Sequence, residues 1–361
     1  MATSGSPTLK ILAVCTVVLA APAFASTSGP LRAFDEAVAA GLPQRVALPA
    51  GDAEARDASS GELVVTSLVE GLDTAFSDGT RGTHYMATWQ GKPAVVVRSA
   101  GHLDITVADA TGVSITGYSG DTERPHRLRR DGSAESAAAT ARAVASVADE
   151  PPTTSGLSPN PHEGLSTVGF HMFVHDDVED RSDQHIHAGY VAWWAVDMRR
   201  ILAVRRVQTV YRRRMPGLTD IPRHDGDLLG RWTLSMQRLV MREGLMPIPG
   251  HSWFKFMLLT PDAIEPGHYG RAWLGGDHAV ASLNGPYTVI AHEYGHTLGG
   301  VHEDASVEWS GFWPCETNLY SHSNALRRNC YRYTPENQRR MREYMAGALP
   351  DEGERRLEMV Y

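Results

Sequence analysis

Five residues in one short stretch have types and spacing suited to metal chemistry: His292, Glu293, His296, Gly299 and His302 in His292-Glu293-Tyr294-Gly295-His296-Thr297-Leu298-Gly299-Gly300-Val301-His302. Residues four apart on an α-helix share a face, one turn apart. His292 and His296 can therefore turn both imidazoles toward one ion. Glu293 sits beside that ion without binding it. Gly299 can adopt a positive φ, end the helix and turn the chain so that His302 reaches the same point from outside. Three neutral imidazoles leave a coordination position open, as catalytic zinc sites do, whereas structural zinc sites are closed by four protein ligands and favour cysteine. At this chain's own residue frequencies the five fixed positions would arise by chance in roughly two of ten thousand chains this long. The competing reading is a surface helix with scattered histidines.

These residues need a scaffold, and 361 residues with 42% apolar content allow one large domain or two modest ones. A net charge of −8 gives no bias toward nucleic acid. Only Lys10, Lys92 and Lys255 are lysines, against 31 arginines out of 34 basic residues, which reads as codon bias of a GC-rich genome. Residues 1–25 read as an export signal. Lys10 supplies the positive charge, residues 11–21 form an apolar run too short to span a bilayer, and Ala23-Phe24-Ala25 is a small-x-small cleavage site. A buried N-terminal helix is the alternative. No other stretch is long enough for a membrane span, so the expected location is the medium or a periplasm. Beyond residue 25 only Cys315 and Cys330 remain. In an exported chain they most simply form one disulfide, with two free thiols as the alternative.

Residues 26–121 read as a small β-rich module. Runs at 62–69, 83–89, 93–99, 102–108 and 112–118 are rich in Val, Ile, Thr and Tyr and are separated by Gly, Asp and Ser. The module has the place and size of a prodomain, in which case the protein is a zymogen; a permanent accessory domain that binds substrate is the alternative. Residues 122–165 read as an exposed linker: Arg124, Arg127, Arg129 and Arg130 cluster, an Ala/Ser-rich stretch follows, and then Pro151-Pro152. Arg127-Leu128-Arg129-Arg130 is a candidate maturation site or simply a solvated charge cluster. From residue 166 to 361 the pattern is α/β. Strands are expected at 167–174, 207–211, 252–259 and 279–283. Helices are expected at 183–201, 225–242 and 335–345, with Gly285-Pro286 opening the helix that carries the histidines.

The histidine stretch is the H-E-x-x-H-x-x-G-x-x-H signature, and on it the chain resembles the metzincin zinc endopeptidases. The resemblance implies a twisted mixed sheet with long helices, preceded here by the β-rich module, and a cleft below the sheet edge. It implies one catalytic zinc ion on His292, His296 and His302, with Glu293 as general base for a water attacking an internal peptide bond. The partners are then protein or peptide substrates. The order Cys315, Cys330, helix 335–345 is similar to the reprolysin (adamalysin-like) branch, which places a methionine turn near this point. Leu319 stands where that methionine is expected, and Glu303 where reprolysins usually carry Asp. A latent form cannot use a cysteine switch, because no Cys occurs between residues 26 and 314; a carboxylate could take that place in the astacin-like manner, with Asp121 a candidate and an ordinary turn aspartate the favoured alternative. Gly270, Ala272, Trp273 and Leu274 lie where the family's edge strand pairs with extended substrate, with a plain glycine-rich turn as the alternative. Two further functions compete: a secreted binding or adhesion protein with a non-catalytic zinc site, and a zinc hydrolase acting on esters or other amides.

Overall fold

The computed structural model describes residues 29–50, 60–110, 112–120, 122–130, 167–224, 226–243, 252–265, 267–310, 313–321, 326–347 and 358–360. The expected export signal, most of the expected linker, and Asp121 lie outside these residues.

Mostly alternating or apolar runs, with the polar β7 as an exception, supply the strands: β1 (Gln44–Pro49), β2 (Ser60–Ala75), β3 (Arg81–Trp89), β4 (Lys92–Ser99), β5 (His102–Asp109), β6 (Gly112–Ser119), β7 (Thr122–Arg130), β8 (Thr167–Val174), β9 (Arg206–Arg212), β10 (Ser252–Thr260), β11 (Gly270–Trp273), β12 (His278–Ser282) and β16 (Glu358–Val360). They form one 13-stranded mixed sheet in the order β16-β11-β12-β10-β8-β9-β2-β3-β4-β5-β6-β7, with β1 beside β2. The strands β12, β10, β8 and β9 are mutually parallel. β12, β8 and most of β10 are buried, which suits their near-continuous apolar sequences, since central parallel strands are covered on both faces, whereas β9 alternates buried with partly exposed residues. β11 runs antiparallel at the end of this group. A separate three-stranded sheet joins β13 (Val307–Ser310), β14 (Trp313–Glu316) and β15 (Arg328–Asn329).

The helices are α1 (Pro30–Ala39), α2 (Asp183–Ile186), α3 (Ala192–Ile201), α4 (Leu228–Glu243), α5 (Val289–Thr297) and α6 (Pro335–Met345), and a π-helical turn (His187–Val191) joins α2 to α3. The expected helix at 183–201 is thus one rod with a π turn inside it. α4 starts a turn later than the apolar spacing implied. There the Asp227 carboxylate accepts from the Gly230 N–H at 2.8 Å, which satisfies an otherwise unpaired donor of the first turn. α5 likewise begins at Val289, after a turn at Pro286, rather than at Gly285-Pro286.

Two findings alter the expected organisation. The arginine cluster at 124–130 is strand, not linker: β7 pairs antiparallel with β6 from Ser119↔Thr122 to Val113↔Arg130. Its backbone is held in a ladder, so Arg127-Leu128-Arg129-Arg130 is not an open loop. A charged strand at the end of a sheet is how proteins blunt an edge, and polarity alone therefore misread it. Second, the N-terminal module shares its sheet with the rest of the chain. The first half of β2 pairs with β1 (Gln44↔Val65 to Pro49↔Ser60), and its last residues pair in parallel with β9 (Leu72↔Val207 to Ala75↔Val210). α3 spans the same junction, its Ala192 buried against Val95 and Val97. One core fills the N-terminal module, a second surrounds α3 and α5, and a third lies under α4.

Candidate metal centre and cleft

α5 is buried at every position. Its anchors are aromatic. Trp194 stacks on Tyr294 at 5.1 Å, the Tyr294 hydroxyl donates to the His171 carbonyl at 3.0 Å, and Trp194 Nε1 donates to the Tyr333 hydroxyl at 2.8 Å. Tyr333 in turn donates to the Ala291 carbonyl. The helix ends as the glycine spacing implied. Gly299 has φ +80°, its N–H bonds the His296 carbonyl, and the Gly300 N–H reaches back to the Gly295 carbonyl. This pair of bonds is a Schellman cap. Asn337 on α6 then grips the returning chain: its Oδ1 accepts from the Val301 N–H at 2.9 Å, and its Nδ2 donates to the Val301 carbonyl at 3.0 Å. His302 follows immediately.

The result is a triangle of nitrogens. The Nε2 atoms of His292, His296 and His302 lie 3.0 Å from one another on every side. His292 Nδ1 bonds the Asn318 carbonyl at 2.7 Å and His296 Nδ1 the Gly300 carbonyl at 2.8 Å. A carbonyl only accepts, so both Nδ1 atoms carry the proton and both Nε2 atoms present lone pairs. Lone pairs converging at 3.0 Å repel unless a cation sits among them. An ion about 2.0–2.1 Å from each of three tetrahedrally disposed nitrogens separates them by about 3.3 Å, so the triangle needs only a slight opening to hold one. Burial and the neighbouring imidazoles hold His292 well below the usual histidine range. Burial, with His302, holds His296 at about 3. Both are therefore neutral, as ligands must be. Among the described residues this is the one cluster of three or more His, Cys, Asp or Glu able to hold a metal ion.

Glu293 is fully buried beside the triangle, and neither carboxylate oxygen has a hydrogen-bond partner among the described residues. Burial pushes its carboxyl well above the usual range, with Arg271 pulling the other way. Buried polar atoms are rarely left unpaired, and a carboxylate so placed points to a missing ion, water or ligand. Gly270, the first residue of β11, packs directly against this side chain.

The structure divides the other cleft candidates. Gly270 and Ala272 are buried, and Ala272 belongs to the same core as α5. Trp273 belongs to the α4 side instead, where its Nε1 donates to Thr233 Oγ1 at 2.9 Å. Leu274 is buried. Cys315 and Cys330 form a disulfide that ties β14 to the segment after β15. Between them Leu319 is fully buried under α5; a Cβ on Gly295 would come 3.1 Å from its Cδ2, and one on Gly300 would come 2.5 Å from its Cδ1. These two glycines thus leave room for Leu319.

Sequence reasoning missed a brace between the ends of β11 and α5. Lys255 in β10 is fully buried and donates to the Gly276 carbonyl (2.8 Å), Asp277 (2.8 Å) and the Tyr344 hydroxyl (2.6 Å). Tyr344 donates to the Gly275 carbonyl at 3.0 Å, and the Gly275 N–H reaches the His296 carbonyl at 2.9 Å. The end of β11 is thereby fastened to the end of α5. A lone lysine inside an otherwise apolar strand was the available signal.

No family model and no curated protein matches the chain. Its fold is similar to that of metalloproteinase-II from Bacteroides fragilis, with a TM-score of 0.55 over 86% of this chain and 94% of that one, at 12% sequence identity. At that identity the likeness is one of fold.

Proposed function

We propose that this chain is an exported zinc-dependent endopeptidase of the metzincin type, cutting internal bonds of proteins or peptides. The observation that carries this reading is the pairing of a converging three-imidazole site with a buried carboxylate that has no partner of its own. A site kept only for structure has no need of Glu293, which disfavours the reading as a binding protein. The fold of a bacterial metalloproteinase supports the same conclusion. Three imidazoles suit zinc among the biologically available ions. The apolar run at 11–21 supports export. Cys315 ahead of the turn that holds Leu319 supports placement near the reprolysin branch.

A zinc ion held by His292, His296 and His302 would supply a Lewis acid that polarises the scissile carbonyl and acidifies water. The chain's own groups do the rest. β11, on the side away from β12, would align an extended peptide by main-chain hydrogen bonds. Glu293 takes a proton from the attacking water and returns it to the departing amine. Gly270, lacking a side chain, leaves the room that the Glu293 side chain fills. Asn318 and Gly300, through their carbonyls, fix which nitrogen of His292 and His296 faces the ion.

The direct test is incubation of the zinc-loaded protein with a broad peptide library, with and without a chelator, reading new termini by mass spectrometry. Chelator-sensitive cleavage at internal bonds is expected. A zinc-replete sample that cuts an ester panel but no peptide would replace the peptidase with a different zinc hydrolase.

A further inference from the structure

Both edges of β11 are occupied. β12 pairs along one side, with Gly270↔Ala281, Arg271↔Val280 and Ala272↔Ala279. β16 pairs along the other, with Arg271↔Val360, Ala272↔Met359 and Trp273↔Glu358, again antiparallel. A strand has only two edges, so a peptide adding to β11 must first displace β16. The direction of β16 also matters. Val360 stands opposite Arg271, next to the glycine that packs on Glu293, so the C-terminal end of β16 is the end nearest the proposed base.

We infer that β16 is a competitor built into the chain: Glu358–Val360 occupies the acceptor strand as an extended peptide would, and substrate binds by displacing it. The inference rests on the reading of β11 as the acceptor edge. Three paired residues make a weak ligand in isolation. The covalent tether changes that, because a ligand joined to its own site binds intramolecularly, at an effective concentration that reaches about the millimolar range. Such a strand excludes peptides that offer only backbone pairing and yields to one whose side chains also fit. The segment thus sets a threshold for substrate affinity.

The test compares the zinc-loaded full chain with the double variant Met359→Pro/Val360→Pro. In an antiparallel ladder adjacent residues direct their N–H groups to opposite sides, so one of the two prolines removes the donor that faces β11. The expected result is a kcat/KM on short peptides that rises about tenfold through a lower KM, with zinc content and kcat nearly unchanged. Amide exchange at residues 270–273 should speed up in the variant. A synthetic peptide with the sequence of residues 355–361 should inhibit the variant competitively. An active parent and a zinc-replete variant with the same kcat/KM would overturn the inference and leave the peptidase reading intact. If both are inert with zinc bound, the peptidase reading fails. Exchange then decides the pairing by itself: unchanged protection at 270–273 overturns it.

Discussion

Gly270 and Glu293 share a space that admits only one side chain: a Cβ on Gly270 would stand 2.6 Å from both Cγ and Cδ of Glu293. The proposed acceptor strand and the proposed base are therefore in direct contact, and the base fits only because residue 270 has no side chain.

Gly270→Ala tests that contact. The added methyl must push the carboxylate aside or spread β11 from α5. Overpacking of this kind costs about 1–3 kcal/mol of stability, and a displaced base should lower kcat by about 10²-fold. Zinc stoichiometry should be that of the parent. Peptidase assay, thermal melt and metal analysis on one preparation check all three. Parental kcat would show that Glu293 does not depend on this glycine.

Glu293→Gln keeps the shape and removes the proton acceptor. Turnover should fall on the order of 10²–10⁴-fold, the usual contribution of a general base, while zinc remains bound by the three histidines. A metal-replete variant that still turns over would remove Glu293 from the role proposed for it.

Asn337→Ala addresses the return of the chain. Asn337 satisfies both the N–H and the carbonyl of Val301. Leaving such buried groups unpaired costs about 1–3 kcal/mol each. The loss also frees the approach of His302, so zinc affinity should drop by about 10–100-fold, as for other groups that orient metal ligands. Competition with a fluorescent chelator measures it. A lower melting temperature with parental zinc affinity would mean that the side chain serves the fold alone.

Acid should destabilise the zinc-free protein through buried histidines outside the triangle of His292, His296 and His302. Burial holds His84 and His171 at about 3. Their native forms stay neutral while the unfolded chain takes up protons below about 6.5. The unfolded state thus binds more protons between pH 6.5 and 3, so stability falls as pH drops through that window. Between pH 6.5 and 5 each histidine should remove about 1–2 kcal/mol. Urea denaturation at pH 7 and pH 5 measures the loss, and His171→Phe should flatten the slope. An unchanged slope in that variant would exclude His171 as a contributor.

What the sequence made legible was local. The spacing of His292, Glu293, His296 and Gly299 was sufficient to bring three imidazoles together, because helix geometry and a left-handed glycine turn are set within a dozen residues. The apolar runs at 167–174 and 252–259 became β8 and β10 almost residue for residue. α1 and β1 were overlooked despite Pro30 at a helix start and apolar Leu31 and Phe34 three apart. The remainder depended on partners far along the chain. Nothing near residue 72 indicates that β2 pairs with β9, 135 positions later. The polarity of β7 concealed a strand whose ladder is supplied by β6. The grip of Asn337 on Val301 and the brace from Lys255 through Tyr344 exist only once the fold has brought α6 against the end of α5.

β2 gives the molecule a common thermodynamic fate. Its 16 residues belong to both halves, with Ser60–Val65 laddered to β1 and Leu72–Ala75 to β9. Melting the N-terminal half strips β9 of one of its two neighbours, and melting the half that carries the three histidines strips β2 of β9. Calorimetry should accordingly record one cooperative transition rather than two. A proteolytic nick between residues 130 and 167 should leave two fragments that still co-migrate, because the seam that joins them is a row of backbone hydrogen bonds rather than the peptide linkage that was cut.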